Sequence, residues 1–442
     1  MTSLPSDLAT LVPLLRSGDL PLATYLDALC NRIDEVNPSV LALLPERDRR
    51  SRLIEEGQAL ETRFPRPEGR PALFGVPVAV KDIIRADGFA TRAGSALPSG
   101  LFEGTEASCV WRLREAGALV LGKTVSTEFA YFEPGATRNP RNLAHTPGGS
   151  SSGSAAAVAA GLAPLALGTQ TVGSVIRPAA FCGIPGFKPS YGRVPTDGIL
   201  PYSLSVDHVG FFTQDAAGLA QVAAVLLEGW RPEAHAMQVG HRPTVGVPDG
   251  AYLAQAEPAA REAFERQLDT LRRAGCTVRR VCALDDIEQI AKRHNELASA
   301  EFAEVHRRWF EEYGALYRPR TAALVRSGRA VTPREREAGA SSRDELRARL
   351  QALMDEHGLD VWASPAATGP APKGLASTGD PAMNLPWTHA GMPAVTLPAG
   401  LVDGGLPLGL QLSARFGEDE ALLAWAAALE TPLARASAEA SS

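Results

Sequence analysis

Residues 73–81 read LFGVPVAVK and residues 118–123 read ALVLGK, with a helical pattern over 105–117 between them. Both runs are short, apolar and rich in valine or leucine, the pattern of buried strands. Strand, helix, strand in that order builds an α/β fold. Near the C-terminus, DVWASP (360–365), PAVTLPAG (393–400) and LGLQLSA (408–414) bring strand character back, followed by a helical EDEALLAWAAALE (418–430). The expectation is a large mixed, mostly parallel central β-sheet surrounded by α-helices.

Four sections follow along the chain. Residues 1–65 form an N-terminal helical segment broken at Gly18-Asp19, and 66–229 form the core. Residues 230–358 carry charged amphipathic stretches such as EPAAREAFERQLDTLRRAG, with one strand at TVRRV. They read as a mainly helical section laid over the core and contributing to a substrate funnel. Residues 359–442 complete the α/β core, with an Ala/Ser-rich tail from about 434 expected to fray.

Composition narrows the function. Of 442 residues, 45% are apolar and 21% charged, enough for a sizeable core and against wholesale disorder. The net charge is -6 and no Lys/Arg run stands out, so nucleic acid is not the expected partner. Five cysteines (30, 109, 182, 276, 282) are odd in number and scattered, without a CxxC pair. They suit a reducing compartment and exclude a disulfide framework and a thiolate zinc site. The N-terminus lacks the pattern of a secretory signal. The longest apolar run, Ala155 to Gly168, is interrupted by Gly161 and Pro164 and is too short to span a bilayer. The reading is a cytoplasmic protein without a membrane segment.

The familiar hydrolase and metal motifs are missing. None of the eight histidines forms HExxH, there is no GxSxG elbow, and GGSSSGSA lacks the GK[ST] ending of a phosphate loop. His208 and His389 read as structural. Three segments stand apart: GVPVAVKDIIRADGFATRAGS (75–95), TPGGSSSGSAAAVAAG (146–161) and LGTQTVGSVIRPAAFCGIPGFKPS (167–190). In the first, Lys81 closes an apolar strand, an unusual place for a charge without a purpose or partner.

Together these blocks resemble the amidase signature family, in the family's own order. SVDHVG (205–210) and the C-terminal GMPAVTLPAG…GLPLGLQLSARFGEDEALL extend the resemblance to about residue 430; it is weakest over 230–358, where the family varies. The resemblance implies a Ser–cisSer–Lys triad: Lys81 as base, Ser150 as the bridging serine after a cis Gly149–Ser150 peptide, and Ser174 as nucleophile. It assigns the oxyanion hole to the backbone of Thr171, Val172, Gly173 and Ser174. By family position the substrate pocket draws on Tyr131, Phe132, Ile199, Leu200 and Trp387. No cofactor and no metal are implied.

The chemistry can be argued separately. A serine hydroxyl becomes nucleophilic when a neighbouring base takes its proton, and only a neutral lysine can do so. From a reference pKa of about 10.4, roughly 0.4% of the amine is neutral at pH 8. Burial lowers that pKa, and a fall of about 3 units corresponds to about 4 kcal/mol against the ammonium. The apolar VPVAV before Lys81 supplies such burial. Asp82, the next residue, projects to the other face of the strand and reads as structural.

Four positions depart from the family pattern. Gln170 stands where Asp is common, Val172 and Ser152 where Gly is common, and Ile176 takes the usual arginine position with Arg177 one residue later. A valine would be strained if the turn required positive φ at 172.

The resulting expectation is an amidase. It hydrolyses carboxylic amide C–N bonds of aryl or alkyl amides through a Ser174 acyl-enzyme, and could extend to esters and carbamates. Its partner is a small-molecule substrate, and it acts as a monomer or homodimer. The alternative is the amidase subunit of a tRNA-dependent amidotransferase, releasing ammonia from glutamine.

Overall fold

The computed structural model describes residues 5–402 and 404–439. Its strands are β1 (Pro77–Lys81), β2 (Leu119–Thr124), β3 (Leu165–Gln170), β4 (Gly186–Lys188), β5 (His208–Thr213), β6 (Thr244–Asp249), β7 (Thr277–Cys282), β8 (Val361–Pro365), β9 (Ala394–Leu401) and β10 (Pro407–Ala414). They form one ten-stranded sheet in the order β2-β1-β3-β5-β4-β9-β10-β8-β6-β7. The sheet is mixed, as the sequence suggested, but it is not mostly parallel. Parallel pairing is confined to the two ends, β2-β1-β3 and β8-β6-β7. The five pairs between them are antiparallel. Connection length accounts for one of these pairs: β9 and β10 are joined over only a few residues, while parallel neighbours need a crossover of a dozen or more.

The strands of the first parallel end are buried along their whole length. This explains why β1 reads as a continuous apolar run, since both faces of the sheet are covered there. Segment 230–358 supplies β6 and β7 to the far edge of the same sheet, together with the helices Ile287–Val305, Pro319–Ala330 and Pro333–His357. The helix Ser152–Ala159 is built from small residues and buried almost entirely. A Cβ on Gly153 would come within 2.3 Å of the Ala42 carbonyl oxygen and 2.5 Å of the Val125 nitrogen, so only glycine permits the approach. The C-terminal helix Asp419–Glu439 continues through most of the tail expected to fray, and residues 440–442 lie outside the described part. Among the described residues, no helix is long and apolar enough to cross a membrane.

Strand direction reverses between β3 and β5. In open α/β sheets, crevices form beyond the carboxyl ends of strands where direction or order changes. Lys81 is the last residue of β1, and Gln170 the last of β3.

Candidate active site

Burial and two hydroxyls define the setting of Lys81. The side chain is fully buried. Its Nζ lies 2.7 Å from Ser150 Oγ and 2.7 Å from Thr169 Oγ1. No carboxylate comes within ion-pair distance of it among the described residues. Burial holds the amine well below the usual lysine range, and the charge of Asp207 opposes that shift. A hydroxyl can donate as well as accept, so both neighbours tolerate a neutral amine. Asp82 turns away, as expected: its Oδ1 sits 3.6 Å from the buried Lys123 Nζ and it accepts from the Arg92 N–H.

The serine-rich loop is pinned. The Gly149–Ser150 peptide is cis. Ser151 Oγ bonds the backbone of Thr169 in both directions, Ser152 Oγ donates to the Gly148 carbonyl, and Ser154 Oγ donates to the Leu167 carbonyl. Arg177, buried beside this loop, donates from Nη2 to the Gly149 carbonyl at 2.7 Å and from Nε to the Thr378 carbonyl at 2.8 Å. Its one-residue offset from the family position thus places a guanidinium under the loop that carries Ser150. Ser152 at a glycine position opens the helix with a backbone bond in place of free rotation.

Ser174 sits on the turn between β3 and the helix Ile176–Cys182. Gln170 organises this turn: its Oε1 accepts from the N–H groups of Val175 and Ile176 at 2.8 and 2.9 Å, and its Nε2 donates to Thr388 Oγ1 at 2.9 Å. An amide therefore fills the acceptor role open to an aspartate here, without adding a negative charge near Lys81. Val172 is not strained, because neither it nor Gly173 adopts positive φ. Its carbonyl accepts from Thr388 Oγ1 at 2.7 Å. Gly173 is needed for packing: a Cβ there would lie 2.3 Å from Asn384 Oδ1. The N–H groups of residues 171–174 find no protein acceptor among the described residues. The Ser174 hydroxyl caps no helix and bonds neither Ser150 nor Lys81. It is not among the buried unpaired atoms, so it keeps access to solvent. Catalytic hydrogen bonds are often open in a free enzyme and close on substrate.

A cavity of about 800 Å³ opens beside the turn. Tyr131, Phe132, Val172 and Tyr202 form one wall, and the helices Ile287–Val305 and Pro319–Ala330 supply much of the other. Two of the five expected pocket residues, Tyr131 and Phe132, therefore face it. Ile199 and Leu200 line a separate, much smaller space with Thr169, Thr171 and Asp207. Trp387 lies behind the cavity in the core, its Nε1 donating to Tyr252 Oη at 2.9 Å. His208 and His389 are buried with partners inside the protein, His208 Nδ1 at the Val206 carbonyl and His389 between His294 and Ser342.

Two groups at the site escaped the sequence reading. Thr169, the second partner of Lys81, lies inside the 167–190 block. Asp207 lies inside SVDHVG; it accepts from Thr171 Oγ1 at 2.5 Å and from the N–H groups of Tyr202 and Ser203 at 2.8 and 2.9 Å. Burial pushes its carboxyl up to about 6, against those hydrogen bonds and the Lys81 amine. Among the described residues, no group of histidine, cysteine and carboxylate side chains could hold a metal ion.

A mixed α/β sheet wrapped by helices is an architecture this chain shares with amidases of known structure. The profile of the Amidase family matches residues 24–423, and the chain belongs to that family. It is 34% identical to a glutamyl-tRNA(Gln) amidotransferase subunit of Thermus thermophilus, over 95% of each chain. Among solved structures it is similar to an amidase (31% identity, TM-score 0.85, covering 97% of this chain and 100% of that one). It is also similar to the native peptide amidase of Stenotrophomonas maltophilia (29% identity, TM-score 0.78, 97% of each chain).

Proposed function

We propose that this protein hydrolyses the C–N bond of carboxylic amides with an aryl or alkyl acyl part, through an acyl-enzyme on Ser174. One observation carries the reading: a fully buried amine held between two hydroxyls, one of them Ser150, at the carboxyl edge of β1 and β3. Ser174 Oγ attacks the carbonyl carbon while its proton passes through Ser150 to Lys81. The N–H groups of 171–174 supply donors for the oxyanion. The intermediate collapses, the C–N bond breaks, and the proton held by Lys81 goes to the leaving amine. Water then cleaves the acyl-enzyme by the same proton route and releases the acid. Esters and carbamates present the same carbonyl geometry and are expected as secondary substrates.

The cavity supports the substrate class. Its volume and the apolar part of its lining, with Tyr131, Phe132, Val172 and Leu385, suit an apolar acyl group, while Lys292, Glu296 and Asp380 make the rest of the lining charged. The 230–358 section forms its outer wall, in keeping with the role of substrate funnel that we assign to that section. Five unpaired thiols support a reducing, cytoplasmic setting.

The amidotransferase relatives favour a second reading, in which glutamine is the amide and ammonia passes to a partner protein. The two readings separate in one experiment. The purified chain is assayed alone against anilides, primary amides, esters, carbamates and glutamine, with mass spectrometry of the trapped adduct. Turnover of an apolar amide with the adduct on Ser174 is the expected result. Glutamine hydrolysis exceeding every apolar amide would establish the second reading, and an adduct on another residue would end both.

A further inference from the structure

We infer that Asp207 is a positioning residue for this reaction: through the Thr171 hydroxyl it holds the turn that carries Ser174, and its charge sets how readily Lys81 takes and gives up a proton. The inference rests on the triad proposed above. It starts from strand register. β3 and β5 are antiparallel, with Gln170 opposite His208, so one step beyond the ladder brings Thr171 opposite Asp207. Residues two apart on a strand face the same side. Thr169 and Thr171 therefore share a face, the first on the Lys81 amine and the second on the Asp207 carboxylate.

The carboxylate is fully committed to this place. One oxygen receives the Thr171 hydroxyl, and the other receives the N–H groups of Tyr202 and Ser203. Among the described residues it has no cation within ion-pair distance. The Lys81 amine acts on it through charge, and each opposes the other's burial-driven shift. The same carboxylate also fixes Tyr202, which forms part of the cavity wall. One buried group thus ties the turn, the wall and the base together.

A charge so placed favours the ammonium form of Lys81. Removing it makes the amine easier to deprotonate. Asp207→Asn keeps the shape and an oxygen for the two N–H groups, and an amide can still donate to the Thr171 hydroxyl. The test follows covalent labelling of Ser174 in the intact protein by phenylmethanesulfonyl fluoride across pH. In that reaction the Oγ–S bond forms, the S–F bond breaks, fluoride leaves, and the serine proton passes to Lys81. The acid limb of the labelling rate should move down by about one pH unit in Asp207→Asn. Thr171→Val should lower the plateau rate at least about tenfold, and Thr171→Ser should restore it. An unmoved acid limb in folded Asp207→Asn overturns the electrostatic role. Equal plateau rates for Thr171→Val and Thr171→Ser overturn the positioning role, and this pair decides the matter if Asp207→Asn does not fold. A wild type labelled elsewhere than Ser174 refutes the triad itself and takes this inference with it.

Discussion

Replacing Gln170 by leucine should disable the site while leaving every residue of the proposed triad in place. The amide accepts two consecutive N–H groups, of Val175 and Ile176, and donates to Thr388, whose hydroxyl in turn holds the Val172 carbonyl. Leucine has nearly the same size and no acceptor. Each buried N–H left without a partner is worth about 1–3 kcal/mol, partly offset by the added apolar surface, so the net loss is about 2–4 kcal/mol. For a chain of this length that lowers the melting temperature by about 2–4 °C. The larger effect falls on kcat, because the N–H groups of 171–174 must be aimed before the oxyanion forms. A loss of about 10–100-fold in kcat with KM within about twofold is expected. Gln170→Glu is the control. It keeps an acceptor at the same reach and adds a negative charge near the first turn of a helix, where one is tolerated. Its kcat should stay within about tenfold of wild type, while the acid limb of kcat/KM moves to higher pH, because the new charge favours the Lys81 ammonium. Steady-state kinetics on whichever amide the protein turns over, with thermal melts of the same preparations, decide the matter. Gln170→Leu with wild-type kcat would refute the claim that this side chain organises the turn.

Lys81→Met should lower kcat by about 10³-fold or more and still fold. The folded state binds fewer protons here than the unfolded chain, because burial lowers the amine pKa. Stability from this group therefore rises with pH between the folded value and the ordinary lysine value, and the methionine variant should show a flatter slope in urea melts over that window. Trp387→Phe should leave KM unchanged within about twofold, since the ring faces the core, while losing about 1–2 kcal/mol of stability with its bond to Tyr252. Tyr131→Ala, on the cavity wall, should do the reverse and raise KM for apolar amides severalfold; equal KM effects from the two variants would contradict the wall assignment.

The strands legible in the sequence were short apolar or β-branched runs set off by polar residues, Pro or Gly: β1, β2, β7, β8, β9 and β10. β3 was not, because LALGTQ lies inside an Ala/Leu/Gly run and such residues are poor strand formers. β6 carries Gly246 between its valines and Pro248 after them, both of which argue against a strand when read alone. Missing β3 and β5 hid the antiparallel centre of the sheet, and with it the reason the expected parallel sheet proved evenly mixed. Trp387 shows the converse limit. A tryptophan in a loop-like PWTHAG segment is as compatible with a pocket as with a core, and only the Tyr252 hydroxyl decides between them.

At the site, the blocks of sequence pointed to candidate residues, but not to which of them touch. Lys81 and Ser150 meet across 69 residues of chain because β1 and β3 are parallel neighbours and Ser151, next to Ser150, is tied to the Thr169 backbone near the end of β3. Thr169 became visible as a partner of the amine only through that pairing. Asp207 needed one more step, the β3–β5 register. This ordering has a chemical consequence. A lysine whose only close partners are hydroxyls has no fixed counter-charge, so its protonation responds to charges buried nearby on either face of the sheet. Asp207 occupies one such position and Gln170 leaves another neutral. A family member carrying aspartate at the second position would hold two carboxylates near its base where this chain holds one. Asp207→Asn and Gln170→Glu should therefore move the acid limb in opposite directions. Combined in one protein they should bring it back close to wild type, within about half a pH unit, if the amine senses both charges through the same interior. Shifts in the same direction, or a double variant as displaced as either single one, would mean that the limb belongs to some other group.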